Sequence, residues 1–246
     1  MPKTRLLPGR CVHCLKNFDQ LTWDHVLPES WYPEGSAELE KWKVPACEPC
    51  NRHLGKLEQD LLIKLGLCLD PKEVASIGIP EKVLRSLDPA AGHTERDSKY
   101  RAKKREKVIS GIKVLNDLPQ RGIFPNFGPD PNIKYPEYAS VLISEEEVSR
   151  FAEKITRGIA FVADSSFIED GYEVKTFVIE EPKAAEIRQL IEEGGIVFER
   201  PPGFVVKRRL VENERVGGLY LIEIWSRFRM YVTVAPKDLA KRLLIA

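Results

Sequence analysis

An excess of charge of either sign is missing from this chain. Its 246 residues include 38 Lys and Arg against 37 Asp and Glu, a formal net charge of +1. Bulk charge therefore announces no nucleic-acid or acidic partner, and any basic surface must come from local clustering. Long hydrophobic runs are missing too: no apolar stretch reaches the roughly 20 residues that a membrane-spanning helix needs. The opening residues, Met1 to Arg10, are basic but lack an apolar signal core. No internal repeat and no low-complexity segment is present, which argues against a solenoid or a disordered array. Cysteine is sparse, with five in all, and four of them fall in two close pairs, which suits a metal site better than a disulfide framework. These absences lead us to expect a cytoplasmic protein with no membrane partner and reduced thiols. Hydrophobic content of 43% and charged content of 30% are those of a globular protein, with length for one large domain or two small ones.

Against that background one constellation stands out: Cys11-Val12-His13-Cys14, then Trp23-Asp24-His25-Val26-Leu27-Pro28, then Cys47-Glu48-Pro49-Cys50-Asn51. Paired thiolates separated by two residues form tight knuckles. Four of them (Cys11, Cys14, Cys47 and Cys50) would close a tetrahedral sphere around Zn²⁺ and leave no position for water, so such a zinc is structural. Between the knuckles lies a set suited to phosphodiester hydrolysis. His25 titrates near neutral pH and can serve as general base toward water. Asp24 and Asn51 offer the hard oxygen ligands that Mg²⁺ prefers. In a strand, neighbouring Asp24 and His25 point to opposite faces, so one site can use both only at a bend or a strand edge. His53, just past Asn51, is a candidate phosphate or metal contact, with a solvated helix face as the alternative.

These residues resemble the HNH endonucleases, whose ββα-metal fold is often braced by a four-cysteine zinc. The resemblance rests on the paired knuckles, Asp24-His25-Val26-Leu27-Pro28, Val44-Pro45-Ala46 leading into Cys47-Glu48-Pro49-Cys50-Asn51, and the later Leu54-Gly55-Lys56-Leu57-Glu58. It runs from Cys11 to Glu58, under a quarter of the chain. It implies His25 as general base, Asp24 and Asn51 as ligands of a catalytic Mg²⁺ or other divalent metal, and cleavage of nucleic acid, usually DNA, to 5′-phosphate and 3′-hydroxyl ends. The chain departs from the pattern in two respects: the family's middle Asn has no counterpart between Gly35 and Cys47, and its Gly-Gly turn is replaced by Pro33-Glu34-Gly35-Ser36.

The rest of the chain divides by composition into an α+β whole. Residues 1–70 form the zinc-braced ββα (HNH) unit, with a helix from about Asn51 through Cys68 that Asp70-Pro71 ends. Residues 71–118 read as a basic helical segment, with helices over Pro80–Leu87 and Asp97–Leu115. Within it Lys99, Arg101, Lys103 and Lys104 are candidate phosphate contacts. Residues 119–140, rich in Pro, Gly and Asn, read as a linker. Residues 141–246 read as a mixed α+β unit, a candidate for reading a target, binding a partner protein or forming a homodimer. Its capping box at Ser144–Glu147 predicts a helix to Gly158. Strands are expected over Ile159–Ala163, Val174–Ile179, Phe204–Val211, Leu219–Trp225 and Arg229–Val234, with helices from Pro182 to Gly194 and from Pro236 to Leu244. Two function classes follow: a metal-dependent endonuclease, or a non-catalytic zinc-containing nucleic-acid-binding or protein-adaptor module.

Overall fold

The structure, a computed structural model, describes residues 5–6, 8–114, 139–141, 143–177 and 181–238. The expected linker 119–140 lies outside these residues except at its end. Among the described residues no helix is long and apolar enough to cross a membrane.

The chain is a mixed α+β protein. Strands β1 (Arg5–Leu6), β2 (Gly9–Arg10), β3 (Asn17–Phe18), β4 (Leu21–His25) and β5 (Lys43–Ala46) come first. They are followed by helices α1 (Glu48–Gly66), α2 (Ile79–Leu87) and α3 (Glu95–Ser110). Then come strands β6 (Ile112–Val114) and β7 (Ala139–Val141), which pair with each other, and helix α4 (Glu145–Asp164). The final part is β8 (Tyr172–Phe177), α5 (Glu181–Glu192), β9 (Ile196–Arg200), β10 (Phe204–Leu210), β11 (Gly218–Ile224) and β12 (Phe228–Pro236).

Three small sheets and one large one result. β4 is the middle of an antiparallel sheet with β1 and β5, β2 pairs with β3, and the last five strands form an antiparallel sheet in the order β8-β12-β11-β10-β9. Alternation along β11 explains how that sheet is covered. Tyr220, Ile222 and Ile224 join the main core on the α4 side, while Leu221 packs with Ala184 and Ile191 of α5 on the other.

Three readings of the sequence change here. The helix expected to stop at Gly158 runs on to Asp164, so Ile159–Ala163 is helix and not strand. Its apolar period continues through Phe151, Ile155, Ile159 and Val162, and that period outweighs the β-rich composition of the short run. Gly158 is a close-packing residue there: a Cβ would lie 2.7 Å from Val26 Cγ1. The basic helix ends at Ser110, and Ile112–Val114 is a strand. Strand β9 was not expected. Strand β12 runs through Pro236, so the helix expected from Pro236 begins at Lys237; its residues Lys237 and Asp238 are described, and residues 239–246 lie outside the described set. The capping box at Ser144 and Glu147 is formed as expected.

A single apolar core joins residues near the N-terminus to those of the large sheet. Trp31 is fully buried. It stacks on Phe151 of α4 at 4.5 Å and on Trp225 at 5.2 Å between ring centroids. The indole N–H of Trp225 donates to the Trp31 carbonyl at 2.9 Å. Tyr32 packs on Phe204 at 5.1 Å, and Arg10 makes a two-pronged contact with Glu169 at 2.6 Å for each prong. Because Trp31 fills space that neither half can close alone, Trp31→Ala is expected to lower stability by ~3–5 kcal/mol. Urea denaturation followed by fluorescence and circular dichroism measures the loss.

Candidate functional site

The four paired cysteines meet. Cys11 and Cys14 sit on the turn between β2 and β3, where Leu15 adopts a left-handed φ of 61° and Arg10 Nε donates to its carbonyl at 2.7 Å. Cys47 is the N-cap of α1 but makes no side-chain capping bond, and Pro49 occupies the first turn. All four sulfurs lie within 4.8 Å of one another, positioned to bind a metal ion. Cys14 Sγ and Cys47 Sγ are 3.8 Å apart. That matches the ~3.8 Å edge of a thiolate tetrahedron built on ~2.3 Å zinc–sulfur bonds. Burial is the main influence pushing the Cys47 and Cys50 thiols up, so these sulfurs become thiolates only with a cation among them, and binding a metal there would release protons. Cys68 stands apart on α1, its thiol pushed up to about 12 by burial.

The cage brings the start of α1 against β4. Asn51 Nδ2 donates to Thr22 Oγ1 at 3.0 Å and to the Trp23 carbonyl at 3.1 Å. The amide expected to hold a metal thus clamps the strand that carries Asp24 and His25.

Asp24 and His25 do point apart. His25 is half-buried and lines an open cleft of about 700 Å³ with Trp23, Glu29, Lys41, Trp42 and Lys43. Burial is the main influence on its imidazole, and with the nearby Lys43 it holds the ring below the ordinary value of 6.5, against the pull of Glu29. His25 is therefore neutral at neutral pH.

Asp24 turns inward and is only 5% exposed. His13 Nε2 lies 2.8 Å from its Oδ2, and Lys154 Nζ of α4 lies 3.4 Å from the same oxygen. The Lys154 ammonium is fully buried. It pairs with Glu58 Oε1 at 2.5 Å and donates to the carbonyls of His25 and Val26. Burial alone would push the Asp24 carboxyl up, but the His13 hydrogen bond and the Lys154 charge outweigh it and leave it below the usual carboxylate range. Burial raises Glu58 in spite of Lys154. A hydrated Mg²⁺ keeps several waters. The Asp24 carboxylate, closed in by an ammonium and an imidazole, does not fit such an ion in this arrangement.

Above Lys154 lies a pocket of about 320 Å³ between the start of α1 and the middle of α4, lined by His13, Cys50, His53, Arg150, Lys154 and Arg157. His53 Nε2 lies 2.8 Å from an Arg150 guanidinium nitrogen, so His53 faces α4 rather than open solvent alone. The four basic candidates on α3 line neither this pocket nor the His25 cleft. Lys99 pairs with Glu95 at 2.6 Å and Arg101 with Asp97 at 3.1 Å. Lys104 is partly buried, and Lys103 is exposed on the outer face.

Reading the sequence missed Lys154, the place of Glu58 and the His13 contact. For Lys154 a signal existed: it lies three residues after Phe151 and four before Gly158, so it falls on the buried stripe of an amphipathic helix. A charge there must have partners inside the protein.

No protein-family model, no curated protein and no solved structure matches the chain.

Two outcomes follow from this geometry. Metal analysis of protein purified without chelators is expected to find about one zinc per chain. Chelation should free four thiols and lower the melting temperature. Absence of zinc would overturn the cage assignment. Lys154→Met strands two carboxylates beside each other, and a loss of ~3–5 kcal/mol is expected in denaturant unfolding.

Proposed function

We propose that this chain is a nucleic-acid phosphodiester hydrolase of the HNH kind, acting on DNA, with a structural zinc in the four-thiolate cage. The observation that carries the reading is the clamp between Asn51 and β4. It joins the residue after the fourth cysteine to the strand ending in Asp24-His25, on a hairpin-and-helix frame of β4, β5 and α1.

In this reading the cleft beside His25 receives a backbone phosphate. Lys43, paired across the hairpin with His25, and Lys41 supply positive charge at its rim. Neutral His25 accepts a proton from water as that water attacks phosphorus in line, and the bond to the 3′-oxygen breaks while that oxygen takes a proton from solvent to leave as the 3′-hydroxyl. Trp23, 43% exposed on the same face of β4, offers an aromatic surface beside the phosphate. The exposed side of α3, with Lys103, adds sequence-independent attraction. Asp24 and Asn51 are the divalent-ion ligands that the resemblance implies, but Asp24 is engaged by His13 and Lys154 in this arrangement.

A second reading has its own observation. Asp24 is committed to His13 and Lys154, which suits a zinc-containing nucleic-acid-binding or protein-adaptor module with a silent centre.

Plasmid nicking separates the two. Wild-type protein assayed with Mg²⁺ and with Mn²⁺ is expected to convert supercoiled DNA to open circles. His25→Ala should slow this by ~10²–10⁴-fold. Because burial holds the His25 imidazole down, the acid limb of the rate profile should lie below pH 6.5. No cleavage across several metals and substrates would favour the adaptor.

A further inference from the structure

We infer that Lys154 is a tethered cation that takes the place of a divalent metal at Asp24, so that metal ligation by Asp24 and docking of the Lys154 ammonium exclude each other. The inference deepens the hydrolase reading and rests on it only for its meaning, since the exclusion itself is a matter of ligand chemistry.

Two kinds of observation support it. The first is the set of atoms around the ammonium. Carboxylate oxygens of Asp24 and Glu58 converge on Nζ at 3.4 and 2.5 Å, and the carbonyls of His25 and Val26 complete an all-oxygen environment. These are the donors a hard divalent cation selects. Here a side chain with no exposed surface already satisfies them. One point cannot hold both an ammonium and a divalent ion, since like charges a few ångströms apart at low dielectric repel strongly.

The second is the approach. The pocket over Lys154 is lined by Arg150, Arg157, His13 and His53, with Glu153 as its one acidic residue. Glu153 is itself engaged by Arg157 at 2.8 Å. Arg150 is paired likewise with Glu146 at 2.8 Å, so what a divalent cation meets from this side is two guanidiniums with no carboxylate free to receive it before it reaches Asp24. Helix α4 is also held close at this point, because Gly158 lets it pack directly on Val26. The ammonium cannot withdraw without moving the helix or changing its rotamer in a full core.

With Lys154 neutralised, two carboxylates and two carbonyl oxygens would face one another and must take up a proton or a cation. The test uses the full-length, zinc-loaded protein and Mn²⁺ alone as probe. Free Mn²⁺ is followed by electron paramagnetic resonance, and thermal unfolding is recorded with and without the ion. Mn²⁺ does not displace zinc from thiolates at these concentrations. Wild type and Asp24→Asn are expected to bind Mn²⁺ equally weakly. Lys154→Met should bind at least about tenfold more tightly and gain melting temperature with Mn²⁺. The double variant Lys154→Met with Asp24→Asn should return to the wild-type level. An Asp24-dependent Mn²⁺ site in the wild type overturns the inference, and so does a folded Lys154→Met that gains none. If Lys154→Met does not fold, the comparison of wild type with Asp24→Asn decides alone. Cleavage does not enter the readout. Thus a silent centre in the nicking assay with the expected Mn²⁺ pattern sinks the hydrolase reading only. Nicking by a wild type that binds Mn²⁺ through Asp24 sinks this inference only.

Discussion

Lys154 carries a positive charge on a side chain with no exposed surface, a transfer that costs several kcal/mol unless charge and hydrogen bonds meet it there. Asp24, Glu58 and two strand-end carbonyls do so, and they come from β4, α1 and the residue after β4. The surrounding packing follows from that demand. Three successive turns of α4 meet three features of the N-terminal part: Phe151 stacks on Trp31, Lys154 reaches Asp24 and Glu58, and Gly158 admits Val26. A shift of α4 by one residue would break all three contacts together. Buried ion pairs add little net stability beside an apolar replacement. The role that fits this one is to fix a register, as the ammonium accepts no other partner nearby.

The cysteine cage solves a different problem at the other end of α1. It has its own small apolar cluster, in which Cys11, Leu21, Ala46 and Cys47 are buried apart from the main core. A cluster so small cannot hold a hairpin and a helix start in place by burial alone. The four sulfurs are placed so that metal–thiolate bonds would supply what area cannot. They also explain why Cys47 can serve as N-cap without a capping hydrogen bond: its sulfur faces the other three thiols. Asn51, four residues into that helix start, is thereby delivered to β4, where its amide bonds the Trp23 carbonyl.

How far the sequence disclosed this depends on the range of each interaction. Local signals were legible: the paired cysteines, the capping box at Ser144 and Glu147, and the strand-like runs that become β10, β11 and β12. Strand alternation also foretold that Asp24 and His25 would face opposite ways. What stayed hidden is long-range. Lys154 lies 130 residues from Asp24, and nothing local says which carboxylate a buried lysine will find. Gly158 reads locally as a helix stop and in the fold as a contact with Val26. The basic run Lys207-Arg208-Arg209 lies on a strand, whose alternation puts at most part of it on one patch, and the fold pairs Lys207 with Glu192 and buries Arg208 against Asp164. In each case the partner, and not the residue, decides the role.

The opposed directions of Asp24 and His25 bear on how the chemistry could be assembled. His25 opens into the cleft beside Lys41 and Lys43, whereas Asp24 lies beneath a pocket rimmed by Arg150 and Arg157. The two sides meet only at the end of β4, at the peptide carbonyls of His25 and Val26. That is where the Lys154 ammonium sits. A phosphate served by both a base on one face and a cation on the other has to straddle this strand end. The same lysine that seals Asp24 therefore also sets the position of the backbone carrying His25. Any change at Lys154 acts on two terms at once: the charge available near Asp24 and the orientation of the imidazole. Separating them requires a substitution that keeps the bulk of the side chain and removes only its charge, because a truncation would release the strand end as well.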